Sequence, residues 1–196
     1  MKDEVDLELE TNADLILEHL GRRGVEYFLA NSGTDFPSII EGFAKRKAAG
    51  LTKPKPLPVP HETTLVTMSH GYYLATGKPL ASMVHVGIGT ANALGPLMSA
   101  SRAQIPLLLF AGKTPITEYG HPASRSLSIQ WGQDCFDQGG IVREWVKWDY
   151  ELRRPEELPG ILDRALSIAL SDPPGPVYLT MPRELLFDRP MAPGSV

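Results

Sequence analysis

The sequence predicts an α/β fold: an open, mainly parallel sheet of about six strands with helices on both faces. Three observations carry this expectation. Strand-sized apolar runs alternate with longer segments of helical periodicity from Thr11 onward. The run Pro106 to Ala111 is apolar almost throughout, as expected of a central parallel strand covered on both faces. Glycine, proline or a capping residue stands at most junctions between the two patterns. At 196 residues and 42% hydrophobic content the chain fills one core and is short for two, so residues 1–188 are read as one domain and 189–196 as a linker or tail.

Thr11 or Asn12 caps a first helix whose Ala13, Ile16, Leu17 and Leu20 share one face, and Gly21 or Gly24 ends it. A strand at Glu26 to Ala30 leads through Asn31-Ser32-Gly33-Thr34-Asp35 into a second helix from Pro37 to Ala48. A proline-spiked connection reaches a brief strand at Leu57 to Pro60, and a third helix begins at His61 with Leu65, Met68 and Tyr72 among its apolar positions. Thr76-Gly77-Lys78-Pro79 stops that helix before a strand at Leu80 to Val86. A glycine turn at Gly87 to Asn92 then opens another helix ahead of the central strand. Lys113 to Gln130 is long and polar, punctuated by Pro115, Gly120 and Pro122, which suits a functional loop or a merely mobile one. Trp145 to Tyr150 is a late strand, Pro155 opens a helix striped by Leu158, Ile161, Leu162, Ala165, Leu166 and Ala169, and Gly175 to Thr180 is the last strand.

Composition excludes several classes of function. The formal charge of −4 comes with scattered lysines and arginines, so no basic stripe offers a path to a nucleic-acid backbone. The longest apolar stretches are strand-sized, far below the roughly 20 residues that span a bilayer. The single Cys135 cannot form an internal disulfide and the start, Met1 to Glu10, is charged, so a cytoplasmic location is the expectation.

Open parallel sheets bind ligands outside the carboxyl ends of their strands. That rule selects Asn31 to Asp35, His61-Glu62, Val86 to Asn92 and the loop after Ala111. Glu62, at the first turn of a helix, either points into the crevice or is an ordinary helix-start acid, stabilised there by roughly 0.3 to 1 kcal/mol. His61 suits a local backbone hydrogen bond and has no second ligand at metal-binding spacing. Gly87-Ile88-Gly89-Thr90-Ala91-Asn92 offers backbone amides to a ligand or simply makes a tight turn. It is no dinucleotide fingerprint, because Asn92 stands where the third glycine belongs and the next strand ends in Ala111-Gly112-Lys113 rather than in an acid. Neither a phosphate loop nor a G-x-S-x-G elbow occurs.

Taken together, Pro60-His61-Glu62-Thr63, Gly71-Tyr72 with Ala75-Thr76-Gly77-Lys78-Pro79, Gly87 to Asn92, Ile105-Pro106-Leu107, and Pro174-Gly175-Pro176-Val177 with Met181-Pro182 resemble the amino-terminal domain of acetolactate-synthase-type thiamine-diphosphate enzymes. The likeness runs in order from Thr11 to Leu186. It implies thiamine diphosphate as cofactor, with the aminopyrimidine half bound here and Glu62 on its ring nitrogen. A carboxyl group in that position favours the imino tautomer, whose exocyclic nitrogen removes the thiazolium C2 proton. The carbanion then attacks a 2-oxo acid. This chemistry needs a dry pocket, where desolvation opposes the pull of the helix amino-terminus on the carboxyl group. The resemblance also places Asn92, Gly33, Thr34 and Gly87 beside the pyrimidine and Gln133 near the reacting centre. Trp131, Asp134 and Cys135, and His85-Val86 ahead of the glycines, depart from the usual synthase pattern. Synthase and decarboxylase therefore both stay open, as does the 2-oxo acid.

In this family a G-D-G motif and a downstream asparagine, in a carboxyl-terminal domain, anchor magnesium and diphosphate, and no G-D-G occurs in this chain. The resemblance thus implies a partner, the diphosphate-binding domain of the same protein or of a neighbouring subunit, in a homo-oligomer. A flavin is compatible with the synthases, and nothing in these residues indicates one. The expected arrangements are a piece of a longer polypeptide, favoured by the proline-bearing end at 189–196, or the small subunit of a split decarboxylase. A non-catalytic assembly or regulatory domain is the alternative from another class.

Overall fold

The structure is a computed structural model, described over residues 8–155 and 158–191. Thr11 caps α1 (Asn12–Arg22) through a capping box: its hydroxyl accepts from the Asp14 amide at 3.2 Å and Asp14 accepts from the Thr11 amide at 3.0 Å. Strand β1 (Tyr27–Ala30) follows, then α2 (Pro37–Ala48), with Pro37 at its first turn. Next come β2 (Lys55–Pro58), α3 (Glu62–Thr76), β3 (Ala81–Val84), α4 (Val86–Arg102) and β4 (Leu108–Lys113). The chain closes with the short α5 (Ile129–Gly132), β5 (Trp148–Glu151), α6 (Leu158–Leu170), β6 (Val177–Pro182) and α7 (Arg183–Phe187).

All six strands pair in parallel, in the order β2-β1-β3-β4-β6-β5. The apolar run ending at Ala111 lies mid-sheet, as its composition predicts. Its alternate residues serve two cores: Leu108 and Phe110 pack with α1, α2 and α6, while Leu109 and Ala111 pack with α3 and α4. Helices therefore cover both faces. All the strands point the same way, so the ends of β1, β2, β3 and β4 open onto one edge.

At the sheet margin, Lys55 and Val59 donate to Glu26 and Ala30 beside β1 at 2.8 and 2.9 Å. The alternate positions, facing outward, are Pro54, Pro56, Pro58 and Pro60. Proline has no amide hydrogen, so this edge cannot donate to an added strand.

Three expectations need correction. Strand β2 begins at Lys55, two residues ahead of the expected Leu57, because the prolines that suggested a loop are tolerated on an edge. Strand β5 starts at Trp148, since Arg143–Trp145 winds into a 3-10 turn first. Gly87 to Asn92 is not a turn at all but lies inside α4. The reversal is made by His85 and Val86, whose φ of 35° is unusual for a β-branched residue. Val86 donates its amide to a buried Asp35 oxygen at 3.3 Å, which holds that conformation. Helices α5 and α7 were not expected, being too short to display a period. Pro155 lies in a 3-10 turn, while Glu156, Glu157 and the tail beyond Met191, like Met1 to Leu7, lie outside the described residues.

A buried polar knot fixes the head of α4. The Tyr178 hydroxyl lies 2.7 Å from Thr90 Oγ1 and accepts from Gln138 Nε2 at 3.0 Å. The same Gln138 nitrogen donates to the Gly112 carbonyl at 2.8 Å. Burial pushes the Tyr178 phenol up to about 12, so it stays a neutral donor.

Candidate active site

Glu62 opens α3 directly beyond β2, with its side chain only 8% exposed. His61 precedes it in extended backbone, and its Nδ1 accepts from the Thr63 amide at 3.1 Å. His61 is thus a helix cap on the surface. The Glu62 carboxylate turns inward, where Oε2 accepts from Asn92 Nδ2 at 3.2 Å. A Cβ on Gly89 would come within 3.2 Å of Oε1 and 3.0 Å of Val84 Cβ, so the missing side chain at 89 makes the carboxylate's seat. No hydrogen bond reaches Oε1 among the described residues. The heads of α3 and α4 are stitched together by Thr63 Oγ1, which donates to the Asn92 carbonyl at 3.3 Å. Pro96, a turn further on, has no amide hydrogen to claim that carbonyl.

A second cluster lies on the same edge and was only partly legible in the sequence. Asp35, 2% exposed, sits 2.5 Å from His85 Nδ1. His85 Nε2 is 3.1 Å from Gln133 Nε2. The hydrogen bond to Asp35 raises the imidazole above its ordinary range, against the opposing effect of burial, and the charges of Asp35 and Glu62 add to the rise. The pair therefore contributes stability that is complete below the ordinary histidine value near 6.5. It is lost as pH rises through the elevated value.

Three glycines shape this cluster. A Cβ on Gly33 would overlap the His85 ring, one on Gly112 would overlap the Asp35 carboxylate, and one on Gly87 would overlap Cys135 Sγ. Packing within the chain is thus sufficient reason for glycine at 33 and 87. Gln133 and Cys135, with Gly87, Ile88 and Ala91, border a cavity of about 440 Å³. A larger apolar groove, about 660 Å³ between α2 and β2, lies away from this chemistry.

The strand-end positions singled out in the sequence do converge. Glu62 meets Asn92 and Gly89, Gly33 meets His85, and Gln133 joins them from beyond the loop after β4. Thr34 shares the turn with Gly33, and its side chain makes no hydrogen bond among the described residues. Asp35 and His85 are the residues sequence reasoning missed. Asp35 closes a turn already under suspicion, and His85 stood out only as a departure from a pattern. Among the described residues no group of three or more His, Cys, Asp or Glu side chains could hold a metal ion, and no helix is long and apolar enough to cross a membrane.

Residues 10–141 match the family model for the thiamine pyrophosphate enzyme, N-terminal TPP binding domain. The chain belongs to that family. It is 27% identical over 175 residues to the mitochondrial acetolactate synthase catalytic subunit of Saccharomyces cerevisiae, covering 89% of this chain and 23% of that protein. It is 29% identical over 167 residues to benzoylformate decarboxylase of Pseudomonas aeruginosa, covering 84% of this chain and 28% of that one. Among solved structures, an enzyme isolated from Mycobacterium smegmatis and described as thiamin diphosphate-dependent superposes with a TM-score of 0.76 at 27% identity, covering 95% of this chain and 33% of its own. Benzoylformate decarboxylase from Polynucleobacter necessarius superposes with a TM-score of 0.78 at 24% identity, over 95% of this chain and 32% of its own, which speaks for the fold. This thiamine pyrophosphate-binding domain spans about a quarter to a third of the length of such relatives.

Proposed function

We propose that the crevice at the ends of β1, β2 and β3 binds the aminopyrimidine half of thiamine diphosphate, in an enzyme of carbon–carbon bond making or breaking on 2-oxo acids. The observation that carries this is Glu62: a buried carboxylate seated on a glycine, with one oxygen held by Asn92 and the other uncommitted. Those residues fit the group, because Oε1 makes no hydrogen bond among the described residues and is free to meet a ring nitrogen. When bound, the cofactor supplies an acidic thiazolium carbon and an electron sink. Glu62 would share a proton with the ring nitrogen at Oε1, while Asn92 fixes the carboxylate rotamer by holding Oε2. His85, braced by Asp35 at Nδ1, could exchange a proton with a substrate through Nε2 once Gln133 moves aside. Gln133 covers that nitrogen. Gly33 and Thr34 would border the pyrimidine from the β1 turn, and Gly87 from the first turn of α4. The test is the rate of C2 proton exchange in the complete enzyme with and without the Glu62 carboxyl group.

Magnesium and the diphosphate belong, on this proposal, to a second domain of the same protein or of a neighbouring subunit, in a homo-oligomer. The docking face is the outer surface of α3 and α4. In a chain with 21% charged residues, α3 carries only Glu62 and α4 only Arg102. Met68, Leu74, Ile88 and Met98 lie exposed on these helices. Gly71 has open space where its Cβ would stand. Within this chain Gly71 only costs helix stability, by roughly 1 kcal/mol relative to alanine, so close approach by a partner is the reason offered for it. Gly71→Arg is expected to leave the chain folded and slightly stabilised, by about 0.5–1 kcal/mol, while dissociating the complete enzyme. Urea unfolding and sedimentation check the two halves. An unchanged oligomer would place the partner elsewhere. A reducing cytoplasm suits the free, half-buried Cys135.

A further inference from the structure

We propose that Asp35, His85 and Gln133 form a proton-linked switch, in which Asp35 fixes the imidazole and the side-chain amide of Gln133 turns over when His85 gains its second proton. This rests on the crevice being the cofactor site only for its consequence, not for its mechanism.

The Asp35 carboxylate can only accept, so at 2.5 Å it keeps a hydrogen on His85 Nδ1 in both charge states. Titration is thereby confined to Nε2. That nitrogen lies 3.1 Å from Gln133 Nε2, and an amide nitrogen only donates. With the amide nitrogen toward it, Nε2 accepts as the neutral ring; with the amide oxygen toward it, Gln133 favours the charged ring. Once Nε2 is protonated, two donors face each other, and the amide must turn to present its oxygen. Gln133 Oε1 is buried and makes no hydrogen bond, so nothing holds it in its present place. After the turn it accepts a charge-assisted bond instead. The last torsion of glutamine is close to two-fold, so both orientations fit one space.

His85 cannot relieve the conflict by moving. Its ring lies against the Gly33 backbone, and Asp35 is wedged against Gly112. The charged and titratable groups facing it are Asp35 from the β1 turn and Glu62 from the head of α3. Lys113, the cation at the end of β4, is taken by Glu151 at 2.7 Å. Both facing charges thus favour the imidazolium and the turned amide. Gln133 also borders the cavity beside Gly87 and Cys135, so the turn reverses an amide dipole on the wall of that cavity.

The experiment is a pH titration of the isotopically labelled 196-residue chain by nitrogen NMR, with no cofactor present. The expected result is an Nδ1 that stays protonated throughout, an Nε2 that titrates above the ordinary histidine value, and Gln133 side-chain amide signals that shift with the same midpoint. In Asp35→Asn both midpoints fall together. Gln133→Glu, which keeps the size and needs no turn, raises the His85 midpoint by about one unit or more. Gln133 signals that ignore the His85 titration, or a neutral ring protonated on Nε2, would overturn the switch. Neither outcome bears on cofactor binding, which depends on Glu62.

Discussion

In the complete enzyme, Glu62→Gln is expected to slow exchange of the thiazolium C2 proton by on the order of 10²- to 10⁴-fold, the usual weight of a positioned acid–base group. Glutamine is nearly the same size, and its amide oxygen can still accept from Asn92, so the heads of α3 and α4 stay joined. The amide nitrogen then at the Oε1 position can donate a hydrogen bond but cannot give up or take a proton. The replacement removes chemistry while leaving packing in place, so urea unfolding of the variant should match the parent within about 0.5 kcal/mol, as for changes that disturb no packing. An exchange rate within a few-fold of the parent would remove Glu62 from the mechanism.

The second large effect is expected at Gly89. An alanine in a helix ordinarily gains about 1 kcal/mol over glycine. Here the new methyl group would stand 3.0 Å from Val84 Cβ and 3.2 Å from Glu62 Oε1. Val84 belongs to a fully buried strand and cannot retreat, so the carboxylate must. Gly89→Ala should therefore destabilise the chain by about 1–3 kcal/mol, the range for overpacking. It should also suppress C2 exchange in the complete enzyme by displacing Glu62 from its seat. Denaturant midpoints and exchange rates measured on one variant separate the two effects. A more stable Gly89→Ala with full exchange would show that the carboxylate does not need this glycine.

Much of the fold was legible because its signals are local. The bounds of α2 follow from Pro37 and the end of its run at Ala48, and the start of α1 follows from a capping residue at Thr11 or Asn12, of which the structure uses Thr11. The central place of β4 follows from an apolar run that only double coverage explains. Glycine is where local reading failed. Gly87 and Gly89 sit in a helix, chosen for what packs against them, Cys135 and Glu62, and not for backbone freedom. Periodicity does not distinguish these two uses.

The site was legible to the extent that one residue carried it. Glu62 stands where a strand ends and a helix begins, a position with a physical meaning in a parallel sheet. Its partner Asn92 is thirty positions away in sequence, and only the pairing of α3 with α4 brings them together. Asp35 and His85, fifty positions apart, meet because β1 and β3 are neighbours. Nothing local to either residue announces the other.

The central claim is that the uncommitted oxygen of Glu62 meets the pyrimidine ring nitrogen, and a crystal structure of the complete enzyme with thiamine diphosphate measures that contact directly. The account predicts Oε1 within hydrogen-bond distance of that nitrogen, about 2.5–3.2 Å, with Oε2 still on Asn92. A pyrimidine bound elsewhere, with Glu62 left on Asn92 and Gly89 alone, would contradict it.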